Sequence, residues 1–463
     1  MKIPPLLSFN PELQRGLWLE LTPSRLIATP IVIVLLFAGA YAEMAPSLAV
    51  TIDKSVIWLL LVLWGSRLAA ESVGDEVTGR TWDVQRLSAQ SPWGLTLGKL
   101  CGGTAYAWYG AAICGLALVI MQSPDSGQIL ARSILAGLTA QSVAFFIMLV
   151  LHRFDLQGRR AHTTLAQIGG IILSWKAGAF SSLPITYSGA GQPFAPAMPD
   201  SIGWYGLGLD PATLTVALQL LSVGWVIFGS MRLMRRELGF IDGPLGWLLL
   251  SIYTIVLVAG FVPREVLQYA FQPQFSRLLV GFQSLPWLAP EVLTYIAVLG
   301  SPVSRIGLLK LSGAFTARDW RAVWLNLPIW APSAALAFLA GLMPTVRITV
   351  WLLGDKSGDM PDNILAPVPL VVFGFMMRDI ALIYLLRLAY RRRTSAALLV
   401  MFVLLYLAPM PLLLHSGYAV VIPLFLARPQ PTILGVITPW IEAVIAWFAV
   451  WRLLRRPTAI PAG

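Results

Sequence analysis

The chain has too little charge to be a soluble protein. Asp, Glu, Lys and Arg make up 12% of its 463 residues, about half of the roughly 25% usual in soluble domains. The residues that build most metal sites are scarce as well. Histidine occurs three times, and His152, His162 and His415 have no metal-ligand spacing, so no metal site is expected. The two cysteines, Cys101 and Cys114, lie thirteen helical steps apart in one apolar segment. That is about 20 Å, which no disulfide spans. The N-terminus lacks a basic stretch leading straight into a short apolar core. Pro4, Pro5, Pro11 and Pro23 interrupt it, so no cleavable signal is expected.

What the chain has is apolar length. Hydrophobic residues make up 57%, and a lipid-crossing helix needs about 20 of them in sequence. The hydrophobic runs give twelve spans, at about 25–44, 55–71, 97–121, 130–151, 163–183, 211–231, 244–262, 278–300, 322–344, 365–388, 394–414 and 433–452. With the N-terminus in the cytoplasm, 24 of the 33 Lys and Arg residues fall at cytoplasmic ends and loops, and 7 on the other side. Only Lys176 and Arg378 remain inside spans. The positive-inside bias therefore places both termini in the cytoplasm. The net charge of +11 is accounted for by orientation and by contact with anionic headgroups, and needs no nucleic acid. The expected fold is an all-α membrane protein.

The spans divide six and six about a charged loop at 232–243, giving expected halves 1–240 and 241–463. In each half the second span leads into the largest cytoplasmic segment, 72–96 or 301–321. Arg80-Thr81-Trp82 is echoed by Arg318-Asp319-Trp320, and Ser91-Pro92 by Ser301-Pro302. Parallel six-span repeats are a common transporter plan. Ahead of the first span, residues 11–22 place Leu13, Leu17, Trp18 and Leu21 on one helical face, as in a short interfacial helix. The loop 184–210 lacks Lys and Arg and reads as irregular and extracytoplasmic.

Ionisable groups inside spans are functional candidates by default. Arg378 and Asp379 lie mid-span, and Glu442 lies in the last span. Neighbouring helical residues point about 100° apart, so Arg378 need not pair with Asp379. A pair of Arg378 with Glu442 across a helix interface and a contact with substrate are the two readings.

Residues 71–100 carry Glu71, Asp75, Glu76, Arg80, Asp83 and Arg86 between two apolar spans, and then Ser91 and Pro92 offer a helix start. By charge alone this is either a solvated loop or a short helix whose charged face meets a soluble partner. Its residue order, Gly79-x-Thr81-Trp82-Asp83, then Ser91-Pro92-Trp93 and Leu97-Gly98-Lys99-Leu100, resembles the cytoplasmic segment of type-two ABC exporter permeases. Arg80 is an insertion relative to that pattern, and Gln85 and Arg86 stand where leucines are usual. The run Asn10-Pro11-Glu12-Leu13, Leu17-Trp18-Leu19-Glu20 and Pro23-Ser24-Arg25-Leu26 resembles the elbow helix of the same permeases.

The resemblance implies a membrane subunit of an ATP-driven exporter in a bacterial cytoplasmic membrane, with two permease domains fused. Segment 71–96 would contain the coupling helix that docks on a nucleotide-binding subunit, and 301–321 would be the second docking element. Glu71, Asp75, Glu76, Arg80, Trp82, Asp83, Arg318 and Trp320 are the docking candidates. Trp82 reads equally as an interface anchor or as a headgroup-facing aromatic. The chain has no Walker-type G-x-x-x-x-G-K-[ST], so ATP and Mg²⁺ are expected on a separate ATPase subunit, and no cofactor or catalysis in this chain. An ion-coupled secondary transporter is the alternative. A membrane-embedded lipid-linked glycan enzyme is a third, for which Asp200, Asp210, Asp355, Asp359 and Asp362 would supply carboxylates.

Overall fold

A computed structural model describes residues 10–43, 46–79, 90–121, 126–153, 159–179, 202–240, 243–261, 276–301, 303–353, 368–389, 394–407 and 433–455. Apart from one two-stranded hairpin, the regular structure among the described residues is helical. Five helices are long and apolar enough to cross a membrane, and up to eight spans result if three sharply bent helix pairs each count as one. These helices mark a multi-pass membrane protein. Twelve spans are expected from the sequence, and among the described residues five to eight have the length and apolarity of one. Leu245–Gly260, with 16 residues, reaches about 24 Å, short of a hydrocarbon core of roughly 30 Å.

The chain divides into two compact units, Met1–Ile202 with Gly208–Asp242, and Gly203–Leu207 with Gly243–Gly463. The first contains α1 (Pro11–Glu20), α2 (Pro23–Glu43), α3 (Pro46–Trp58), α4 (Gly65–Thr78), α5 (Pro92–Gly103), α6 (Ala105–Ile120), α7 (Ser126–Arg153), α8 (Arg159–Ala179) and α9 (Pro211–Glu237). Helix α7 is central, packed against α4, α8 and α9. Phe145, Met148 and Leu149 of α7 meet Ala69, Ala70 and Val73 of α4, Leu95 and Leu100 of α5, Ala166 of α8 and Met234 of α9.

Helices α3 and α4 form one continuous rod through a π-helical turn, Leu59–Trp64. A π turn releases backbone carbonyls from the regular helical ladder, and in lipid each must find another donor. Gln141 of α7 donates to the Leu61 carbonyl at 2.9 Å, and Gln167 of α8 to the Leu63 carbonyl at 2.9 Å. The Trp108 indole in turn donates to the Gln141 side-chain oxygen at 2.8 Å. Two side-chain amides, Gln141 buried and Gln167 half-buried, thereby serve one irregular turn.

The second unit contains α10 (Leu245–Gly260), α11 (Ser276–Gly300), α12 (Arg305–Thr316), α13 (Trp320–Asn326), α14 (Ala331–Leu353), α15 (Val368–Ala389), α16 (Thr394–Phe402, continued by a π turn Val403–Leu407) and α17 (Ile433–Arg455). Its core joins Trp330, just ahead of α14, and Ala334 and Ala337 of α14 to Phe373, Met376, Ile380, Ile383 and Tyr384 of α15 and Val450 of α17. The Trp330 indole donates to the Tyr384 hydroxyl at 2.7 Å. Arg387, at the end of α15, donates to the carbonyls of Val298 at 2.8 Å and Leu299 at 2.7 Å, and to that of Ser301. It fills the last carbonyls of α11, which have no partner within their own helix.

Part of the expected irregular loop is ordered differently. Strands β1 (Ile202–Trp204) and β2 (Leu207–Leu209) form a hairpin. Its turn holds Tyr205 at φ 51° and Gly206 at φ 78°, the left-handed pair that suits strand twist. The tip is held by the end of α10. Tyr205 N–H donates to Gly260 O at 2.7 Å and its hydroxyl to Val256 O at 2.7 Å, and the Trp204 indole donates to Leu257 O at 3.2 Å. The rest of that loop, 184–201, lies outside the described residues.

Candidate functional site

Helix α5 begins where capping chemistry places it. The Ser91 hydroxyl accepts from Gly94 N–H at 3.0 Å, and Pro92 occupies the first turn. Asn10 does the same for α1, accepting from the N–H groups of Glu12 at 3.1 Å and Leu13 at 3.2 Å. Its amide also donates to Gly94 O at 2.8 Å, tying the starts of α1 and α5 together.

The two helices then cross at backbone distance. A Cβ added at Gly16 would sit 2.7 Å from Gly102 Cα, and one added at Gly98 would sit 2.7 Å from the Glu12 Cβ. This close approach differs from the expected apolar face. Leu13 and Leu17 are half-buried, but Trp18 is 70% exposed and Glu12 is the buried residue of α1.

Glu12 is buried because it has a partner. The Lys99 ammonium, whose side chain is 1% exposed, donates to Glu12 Oε1 at 3.0 Å and also to Glu76 Oε2. Arg15 reaches Glu12 Oε1 at 3.2 Å and pairs with Glu76 Oε1. The two carboxylates and the Lys99 ammonium therefore form one buried cluster that joins α1, the end of α4 and the start of α5, with the exposed Arg15 pairing at its edge. The carboxylate of Glu76 is thus engaged by its own chain and leaves the set of surface docking groups. Glu71 is partly exposed and pairs with Arg67 one turn earlier at 2.7 Å, while Asp75 is exposed. Arg80, Trp82 and Asp83 lie outside the described residues. The undescribed stretch 80–89 begins and ends on the two helices that the cluster clamps.

In the second unit, the helix of segment 301–321 starts at Arg305 with Ser304 as its cap, accepting from Gly307 N–H at 3.0 Å. Ser301, the echo of Ser91, lies three residues ahead of that cap, and Pro302 lies outside the described residues. Arg318 takes a left-handed φ of 54° at the bend between α12 and α13. Trp320 opens α13 and is exposed, its ring edge-on to Phe315 at 5.7 Å.

The intramembrane groups meet. Arg378 donates to Glu442 at 2.9 Å and to its neighbour Asp379 at 3.0 Å. Its Nη2 donates to the Tyr406 hydroxyl at 2.9 Å, and the guanidinium lies over the Phe375 ring at 4.7 Å. Asp379 also accepts from Tyr295 at 2.8 Å and from Tyr406. The Arg378–Glu442 contact joins α15 to α17, and the pairing within α15 accompanies it.

Asp210 has a local structural role. It caps α9, accepting from the Thr213 N–H at 2.8 Å and the Thr213 hydroxyl at 2.9 Å. Those bonds hold its carboxyl below the usual carboxylate range. Asp200, Asp355, Asp359 and Asp362 lie outside the described residues.

Sequence reasoning missed the pairing of Glu12 with Lys99 and the service of Gln141 and Gln167 to the π turn. The signal for the first was a lysine between Gly98 and Leu100 in an apolar helix start, since a buried ammonium requires a counter-charge. Its partner is 87 residues away, beyond any local pattern. No known protein family, no curated protein and no solved structure matches the chain.

Proposed function

We propose that the chain is the membrane subunit of an ATP-binding cassette exporter, with about twelve spans in two six-span halves, 1–240 and 241–463. Both termini face the cytoplasm of a bacterial cell, and the protein lies in its cytoplasmic membrane. A separate ATPase subunit carries ATP and Mg²⁺ and docks on segment 71–96 through Glu71, Asp75, Arg80, Trp82 and Asp83. Closure of that partner pushes on the segment and drives alternating access.

The observation that carries the reading is the clamp around the docking segment. A push on residues 80–89 acts on α4 and α5 together, because Glu76 and Lys99 lock both helices to α1. Force therefore enters the bundle through a rigid base rather than a loose loop. The acidic groups fix docking register more than affinity, and Trp82 supplies the apolar anchor.

The test is purification of the full chain from its native membrane. A polypeptide with a Walker motif is expected at a fixed stoichiometry, with recovery falling at least several-fold in Trp82→Ala and Asp83→Arg. Stable substrate transport by the purified chain alone, without ATP, would sink the reading. A second reading, ion-coupled secondary transport, is favoured by one observation. The buried cluster of Arg378, Asp379, Glu442, Tyr295 and Tyr406 is the kind of polar midplane group that such carriers use.

A further inference from the structure

The hairpin α12–α13 has a different chemistry from segment 71–96, and its geometry is that of a membrane-surface element. Neither of its helices contains a buried residue. Ile306, Leu309, Phe315 and Trp320 are all exposed, at 68%, 48%, 59% and 64%. Such an apolar set does not face water without a reason. The charged groups beside it are Lys310, Arg318 and Arg321, also exposed. The one acid in the hairpin, Asp319, is used as the cap of α13, accepting from Ala322 N–H at 3.0 Å.

Direction supplies the second observation. Helix α13 meets the first part of α14 at a bend of 95°. If α14 crosses the bilayer, α13 lies in the plane of its surface. Level supplies the third. Arg305 donates to Leu454 O at 2.7 Å, which fixes the hairpin to the C-terminal end of α17. That end carries Arg452 over the Phe448 ring at 5.1 Å and Arg455 over the Trp451 ring at 4.0 Å, with both rings exposed. Aromatic rings and basic side chains at one level are the signature of a membrane–water interface.

We propose that α12–α13 is an anionic-lipid binding hairpin, seated in the headgroup layer of the bilayer that the second unit crosses. Ile306, Leu309, Phe315 and Trp320 enter the acyl boundary, and Lys310, Arg318 and Arg321 hold lipid phosphates. An amphipathic element of this kind combines buried apolar area with attraction to anionic lipid. The inference rests on α14 crossing the membrane and does not rest on the ATPase reading. It separates the two large loops by role: mixed charge for a protein partner at 71–96, and apolar plus basic surface for lipid at 305–326.

The test reconstitutes the full chain into vesicles of phosphatidylcholine with or without phosphatidylglycerol. In a Cys101→Ser, Cys114→Ala background, a spin label at Leu309→Cys is expected to be reached by oxygen more than by an aqueous nickel chelate, only in the anionic vesicles. Adding Lys310→Glu, Arg318→Glu and Arg321→Glu is expected to raise nickel access several-fold. Hydrogen exchange of residues 305–326 in the unaltered chain serves as a second readout. It should slow at least tenfold with phosphatidylglycerol, and the slowing should vanish in 1 M salt. Equal exchange in both vesicles, a water-exposed label in anionic vesicles, or protection appearing only when a soluble ATPase is added would each overturn the proposal.

Discussion

Lys99 sits where almost no water reaches it, and the chain meets that cost with two carboxylates. Removing one member of such a buried set costs about 3–5 kcal/mol, because the rest stay buried and uncompensated, whereas replacing all of them is often neutral. Lys99→Met is therefore expected to lower the thermal stability of the detergent-solubilised chain steeply. The triple change Glu12→Gln, Lys99→Met, Glu76→Gln should recover most of the loss. If the triple variant melts lower than Lys99→Met, the buried Glu12, Lys99 and Glu76 do not act as the ionic unit described. The same logic applies around Arg378, but the compensation differs. There two tyrosines donate to Asp379, so part of the counter-interaction comes from neutral hydroxyls rather than from charge.

At the scale of the element, the crossing of α1 on α5 depends on glycine at the contact. A side chain at Gly16 would meet the Gly102 backbone, which has no rotamer to yield. Overpacking a core with small groups costs about 1–3 kcal/mol, and backbone contact places Gly16→Val at or above the upper end. The expected outcome is loss of α1 from the protein surface, read as faster proteolysis at residues 11–20 with the second unit unaffected. Unchanged proteolysis would remove the close crossing. Which elements were legible follows from the range of their causes. The start of α5 at Ser91-Pro92 is local, a hydroxyl and a proline within one turn, and it was readable. The π turn was not, because Leu59–Trp64 reads LLLVLW with no break in its hydrophobicity. Its causes are amides on two other helices, 80 and 104 residues away. The hairpin at 202–209 was hidden for a similar reason. Its Tyr-Gly turn places a tyrosine at positive φ, an uncommon choice, held by acceptors on α10.

At the scale of the molecule, low charge pointed to lipid, and the described helices agree with a multi-pass protein. The distribution of the remaining charge is more informative than its amount. Balanced ions close the base of segment 71–96, an arginine network joins α15 and α17, and unbalanced cations line α12–α13. The site residues were legible as residue types but not as roles. Glu76 and Asp75 are neighbours, yet one is buried in an internal cluster and the other is exposed. The one-residue step, about 100° of helix turn, that separates partner from framework depends on α1, which packs from outside the segment. The central claim is that a separate ATPase docks on segment 71–96. It is tested most directly by a photo-cross-linking residue placed at position 82 of the full chain in its native membrane. The account predicts capture of one polypeptide that binds ATP. Cross-links to lipid alone, or to this chain alone, would contradict it.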